Sequence, residues 1–320
     1  MQATRRHWLL GAGAGALLGA GYVRSRFNVA VDRSEQRVAG RSSTLSTPFG
    51  AVEYAVAGRG SPLLMIHGTG GGFDQGLRFA SAIRQRGHTI VAPSRFGYLR
   101  SDFPADPSLA NQAYAFVALL DYLGIDRLPV IGGSAGALSA TAFALRYPDR
   151  CKALVLLVPA ANVDGRDPVE MSALQASAVR ALLNSDLIYW SALQTAPEWL
   201  IGTLLATDPA LLSTVSPRER ARAFGILSDI MPIHARAKGM LNDARQAGRP
   251  APMDFSRLSM PVLVISAEDD RFGTAATARR IAAVAPHAEL TVLPHGGHIW
   301  LGHDEAIAER VQAFVSSLPA

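Results

Sequence analysis

The chain has 320 residues, 49% hydrophobic and 18% charged, long enough to bury a sizeable core and too apolar for an intrinsically disordered chain. Its 29 glycines follow no G-X-Y period, which excludes a collagen-like fibre, and its single cysteine, Cys151, excludes a disulfide framework or a multi-thiolate metal site. The formal charge of +5 sits mostly at the N-terminus, where Arg5, Arg6, Arg24 and Arg26 precede residue 28 without one acid among them. The remainder is close to charge balance, so nothing in it marks a nucleic-acid partner.

Thr4-Arg5-Arg6-His7-Trp8-Leu9-Leu10 leads into an uncharged Gly/Ala/Leu-rich run over residues 8–23. Paired arginines before a modest apolar stretch predict an export signal, and their order resembles the twin-arginine type. The run is shorter than the roughly 20 apolar residues a bilayer span needs. No A-x-A site follows it, so an uncleaved membrane anchor is the alternative. Residues 1–27 therefore read as export signal or anchor, and the protein as exported to the periplasm or outside the cell, or held at the membrane by this segment.

The body alternates short apolar strands with amphipathic helices. Residues 51–57 read as an antiparallel strand and 63–66 as a buried one stopping at His67-Gly68. A helical stretch runs to Arg86, followed by a strand at 89–92. Apolar spacing predicts a helix over 109–123, then a strand at 130–132, a helix over 135–147 and a strand at 153–158. After a long interruption come a strand at 262–265, a helix over 274–284, a strand at 289–293 and a helix over 305–316. Strands that are apolar throughout and separated by helices predict a mostly parallel sheet covered on both faces.

The interruption, about residues 160–254, shows no strand alternation. Helical stretches are expected at 171–183, 187–205 with Pro197 as a break, and 217–230. This predicts a helical lid (161–254) inserted between two parts of an α/β core (28–160 and 255–320), with the Pro-rich segment 250–261 returning the chain to the sheet.

The chemistry-bearing stretch is Gly132-Gly133-Ser134-Ala135-Gly136, between a strand and a helix. A nucleophilic serine has to project from a turn tight enough to require small neighbours, and the helix N-terminus beside it favours developing negative charge. His67-Gly68-Thr69-Gly70-Gly71-Gly72 lacks the Lys-Ser/Thr of a P-loop and any G-x-G-x-x-G pattern. Its alternative use is an oxyanion loop, offering the Thr69 N–H opposite that of Ala135, with His67 shaping the loop. A serine nucleophile needs a base, and the base needs an orienting carboxylate. The segment at 262–266 leads to Glu268-Asp269-Asp270, and the one at 291–294 leads to His295-Gly296-Gly297-His298, which completes a Ser–Asp–His order.

These motifs resemble the serine-type α/β-hydrolase family from about residue 46 to the C-terminus. The resemblance implies Ser134 as nucleophile, Asp270 as acid, His298 as base and the Thr69 and Ala135 N–H groups as oxyanion hole. Ala267 stands where the family's acid loop usually carries glycine, so Asp269 and Glu268 compete with Asp270, as His295 and His303 compete with His298. The implied reaction is hydrolysis of an ester of a small or medium organic molecule through an acyl-enzyme, with no cofactor and no metal. Carbon–carbon bond, lactone or amide hydrolysis and perhydrolase chemistry fit the same triad. A non-catalytic binding protein would be marked by loss of a triad residue, and none is lost.

His295, His298 and His303 lack a metal-site spacing. Cys151 reads as an inert core thiol, and Trp300 as packing beside the catalytic loop. Trp190, Trp199, Met231 and His234 are candidates to line a substrate pocket under the lid. Asp74-Gln75 and Ser94-Arg95-Phe96-Gly97-Tyr98 lie on loops at strand ends, where they can shape it. For the N-terminal segment, replacing Arg5 and Arg6 together by Lys should leave the protein in the cytoplasm on fractionation; unchanged export rules out the twin-arginine route.

Overall fold

The computed structural model describes residues 21–163, 172–248 and 250–318. Arg5, Arg6 and most of the expected export signal lie outside the described residues, as does the expected helix start at Met171. One sheet carries eight strands in the order β1-β2-β4-β3-β5-β6-β7-β8. They are β1 (Ser43–Thr47), β2 (Gly50–Gly58), β3 (Ser61–Ile66), β4 (His88–Pro93), β5 (Leu128–Gly133), β6 (Cys151–Leu157), β7 (Val262–Ala267) and β8 (Ala288–Leu293). β2 pairs antiparallel with β1 and β4, and from β3 onward the strands are mutually parallel.

The strands are apolar throughout because both of their faces are covered. Leu64 and Ile66 point to the side packed by α4 (Leu109–Tyr122), α5 (Gly136–Arg146) and α11 (Thr274–Val284) through Phe116, Phe143 and Ile281. Leu63 and Met65 point to the side of α2 (Phe73–Phe79), α3 (Ser81–Gln85) and α12 (Asp304–Ser316), against Phe73, Ile83 and Phe314. The sheet order places the site. β3 lies between β4 and β5 and pairs with β5 at Ile66 and Gly132. The chain leaves β3 toward β4 on one side and returns across it to β5. Loops departing the ends of β3 and β5 therefore diverge, and a crevice opens between them.

Between β6 and β7 stand the cap helices α6 (Ala173–Leu182), α7 (Asp186–Thr195), α8 (Pro197–Leu204), α9 (Pro217–Asp229) and α10 (Ala237–Gln246). Pro197 opens α8, where its missing N–H costs nothing. Among the described residues the insertion contains no strand. α10 is an addition to the helices expected there. At the other end of the chain, α1 is helical over residues 21–38 without having been expected, and the expected boundary after residue 27 falls inside it. Phe27, Ala30 and Val31 of α1 pack on the apolar cluster of the cap, with the Phe27 ring 5.7 Å from that of Trp190. Among the described residues no helix is long and apolar enough to cross a membrane.

Ion pairs join α1 and the cap to the core. The Asp74 carboxylate of α2 accepts from Arg37 of α1 and from the fully buried Arg236, at 2.8 and 3.1 Å for the latter. Arg37 also donates to the carbonyls of Asp229 and Met231 in the cap, at 3.1 and 2.6 Å. Burial alone would raise the Asp74 carboxyl, but the two guanidiniums hold it down at about 2, from an ordinary 3.8. A depressed folded value supplies stability above the ordinary carboxyl range and loses it as pH falls through the folded one. The linkage is worth about 2 kcal/mol. Urea midpoints measured down to acid pH should therefore fall more steeply for the parent than for Asp74→Asn, which has already lost this contribution.

Candidate active site

β5 ends in a turn that holds Ser134 at φ 51°, the left-handed region, at a cost on the order of 1 kcal/mol for a residue with a Cβ. Three backbone hydrogen bonds hold it there. Its N–H donates to the Leu157 carbonyl at 2.9 Å, and its carbonyl accepts from the N–H groups of Ala137 and Ala160 at 3.0 and 3.2 Å. Gly136 is required by close approach, since a Cβ there would lie 2.4 Å from the His67 carbonyl oxygen.

The Ser134 hydroxyl lies 2.8 Å from His298 Nε2, and His298 Nδ1 lies 2.8 Å from Asp270 Oδ2. Asp270 is buried, and its carboxylate also accepts from the Thr274 hydroxyl and, at 2.9 Å, from the Phe272 N–H. Burial pushes this carboxyl up, but the adjacent His298 and these hydrogen bonds prevail and hold it below the usual range. An ionised Asp270 requires the proton on His298 Nδ1, which leaves Nε2 free to accept from Ser134. Phe272 sets its ring edge-on to the imidazole, 4.9 Å between centroids.

The competing residues do other things. Asp269 accepts from the Gly296 and Gly297 N–H groups at 3.2 and 2.8 Å, anchoring the loop that carries His298. Glu268 faces solvent and pairs with Arg279. His295 and His303 lie 3.2 Å apart, ring nitrogen to ring nitrogen, away from Ser134, and no metal-holding cluster exists among the described residues. Cys151 is buried, and burial pushes its thiol up to about 12.

On the other side of the crevice, the 67–72 loop is fixed from behind. His67 Nε2 accepts from the Arg95 N–H at 2.9 Å, so Nδ1 carries the proton and donates to the Gly68 carbonyl at 2.7 Å. Burial, reinforced by Arg95, lowers the His67 pKa well below the ordinary value and keeps the ring neutral. Gln75 Oε1 accepts from the Gly68 N–H at 3.0 Å. The N–H groups of Thr69 and Ala135 have no protein acceptor among the described residues. That of Ala135 stands at the N-terminus of α5.

A family model for the alpha/beta hydrolase fold matches residues 61–302. The chain belongs to the α/β-hydrolase family. Similar proteins include the uncharacterised hydrolase YcgS of Bacillus subtilis, 28% identical over 280 residues, spanning 83% of this chain and 95% of that protein. The 2-hydroxymuconate semialdehyde hydrolase of Pseudomonas putida is 28% identical over 273 residues, with 82% of this chain and 90% of that one covered. Among solved structures, an α/β-hydrolase fold protein from Nakamurella multipartita superposes with a TM-score of 0.71 at 26% identity, covering 86% of this chain and 98% of that one.

In this α/β hydrolase the cap closes a cleft of about 810 Å³ over Ser134 and His298. Its walls are largely apolar, with Phe79, Val158 and Trp300 from the core facing Leu183, Leu205 and Ile226 from the cap. The cap side chains expected to line it are elsewhere. Trp190 packs on Phe27, Trp199 is half exposed, Met231 is buried in the cap's own core, and His234 pairs with Asp186 at the surface. A two-sided cap has its own interior, and Trp190 and Met231 are spent there, so other cap residues face the cleft. Trp300 lines the cleft and Gln75 reaches it, while Asp74 serves the ion pairs behind. Asp243 of α10, which no pattern in the sequence singles out, also reaches the wall.

Asp270→Asn should lower turnover by roughly 10⁴-fold through loss of the correct imidazole tautomer. Asp269→Asn should cost far less, because it touches only the loop backbone. Steady-state kinetics of the two purified variants checks this; the reverse ranking excludes Asp270 as the orienting acid.

Proposed function

We propose that this α/β hydrolase cleaves an ester of a small or medium, largely apolar organic molecule through an acyl-enzyme on Ser134. The observation that carries the reading is the unbroken chain of 2.8 Å contacts from Ser134 through His298 to a buried, ionised Asp270. Ser134 Oγ attacks the carbonyl carbon as its proton passes to His298 Nε2. Asp270 holds the ring and stabilises its charged form, and the Thr69 and Ala135 N–H groups receive the oxyanion. His298 then protonates the departing alcohol, and water, deprotonated by His298, releases the acid. The apolar cleft excludes water around the developing charge and favours compact apolar groups over polymers.

The second reading is carbon–carbon bond hydrolysis, favoured by the kinship with a hydrolase named for 2-hydroxymuconate semialdehyde. The two are separated by assaying p-nitrophenyl esters of graded chain length beside 2-hydroxymuconate semialdehyde. Ester hydrolysis is expected to dominate by kcat/KM. Preference for the semialdehyde moves the assignment to the second reading. In either case Ser134→Ala should fold normally and lose turnover on the order of 10⁶-fold, and a fluorophosphonate should label Ser134 of the parent. Near-normal activity in the variant excludes the nucleophile assignment.

A further inference from the structure

The cap does more than roof the cleft, because α10 is joined through side chains to the loop that carries Thr69. Asp243 is 2% exposed, and its carboxylate takes both arms of Arg95, at 2.6 Å from Oδ1 and 2.5 Å from Oδ2. The Tyr98 hydroxyl donates to the same Oδ2 at 2.5 Å. Arg95 also donates to the oxyanion loop. Nε donates to the His67 carbonyl at 3.0 Å, Nη2 to the Gly68 carbonyl at 3.1 Å, and the backbone N–H to the His67 ring. Tyr98 completes the set, with its hydroxyl oxygen 3.4 Å from the Gly70 N–H and its ring edge-on to His67 at 4.6 Å. The residues on both sides of Thr69 are thus anchored to Arg95 and Tyr98, and those two are anchored to one carboxylate on the cap.

The docking of α10 is equally specific. The Gly239 N–H donates to the Gly97 carbonyl at 3.0 Å, and the Leu99 N–H donates to the Ala235 carbonyl at 2.6 Å. A Cβ on Gly239 would lie 2.2 Å from the Tyr98 ring, so the helix backbone rests directly on it. A buried guanidinium without its carboxylate is an uncompensated charge, and relieving it requires Arg95 to move. Any such movement releases the His67 and Gly68 carbonyls and with them the Thr69 N–H.

We propose that Asp243 is a positioning residue for the oxyanion hole: by holding Arg95 and Tyr98, the cap carboxylate fixes the loop whose Thr69 N–H receives the developing oxyanion. This rests on the nucleophile reading of Ser134. It predicts that Asp243 acts on turnover and not on substrate affinity, although it borders the cleft.

The test uses the full chain, p-nitrophenyl butyrate as substrate and fluorophosphonate titration to count intact Ser134 sites. Per titrated site, Asp243→Asn should lower kcat about tenfold or more, within the range for weakening one oxyanion donor. KM should stay within about threefold and the pH profile of kcat/KM should keep its shape. Unchanged kcat overturns the proposal, and so does a raised KM at constant kcat, which marks a substrate contact instead. If Asp243→Asn does not fold, Tyr98→Phe removes one anchor and leaves the ion pair. It should lower kcat several-fold at constant KM, and unchanged kcat again overturns the proposal. A parent chain that the fluorophosphonate does not label at Ser134 removes the oxyanion role and this proposal together. Labelling of the parent at Ser134 together with an unchanged kcat in Asp243→Asn removes this proposal alone.

Discussion

The left-handed turn at Ser134 is the constraint on which the rest of the structure depends. A side chain in that conformation is held only if the backbone on both sides is pinned, and here β6 and the first turn of α5 do the pinning. The same turn brings Gly136 against the His67 carbonyl, so the elbow and the 67–72 loop fix each other's height above the sheet. β3 and β5 have to be neighbours for this to happen, and the reversal of strand order between them makes them so.

The two flanks of Ser134 are built by different physics. The Asp270–His298 side is a linear chain of hydrogen bonds in which each group fixes the protonation of the next. Asp270 stays ionised despite burial because three donors converge on it, and that choice sets the histidine tautomer. The side of the 67–72 loop has no such chain. It is a loop of small residues that cannot hold its own shape, and a neutral histidine, a glutamine and a buried arginine grip its carbonyls and N–H groups from behind.

The cap belongs to this scaffold as much as to the substrate. Arg236 and Asp243 reach from it into the core, and Arg37 of α1 completes the ionic layer at Asp74 and Asp229. Buried ion pairs of this kind add little net stability compared with apolar packing, but breaking one leaves a buried charge unpaired. The apolar cluster of the cap, including Trp190 and Phe27, supplies the burial that keeps it folded. The cleft is what remains between that cluster and the sheet.

Strand and helix periodicity, the elbow glycines, the Gly-rich loop after β3 and the order serine–acid–histidine are local features, so the sequence by itself determined the α/β class, the inserted cap and the short set of residues at the site. Most helices that bury an apolar stripe in the body were legible for the same reason. α10 was not among the expected helices; the residues it buries are Gly239, Met240 and Asp243, so packing against Tyr98 and the Asp243–Arg95 pair, which only the fold brings together, seat it. α1 carries a helical stripe in Phe27, Ala30, Val31 and Ser34, but it lies against an apolar run that reads as an export signal. The family resemblance names Asp270 ahead of Glu268 and Asp269, but why it is that one is visible only in the tertiary structure, since neighbouring residues on one loop point in different directions and only a folded chain says which faces the imidazole. The cleft lining and the grip of Asp243 on Arg95 were decided there too. They join residues separated by more than a hundred positions, and no local pattern encodes which buried charges will meet.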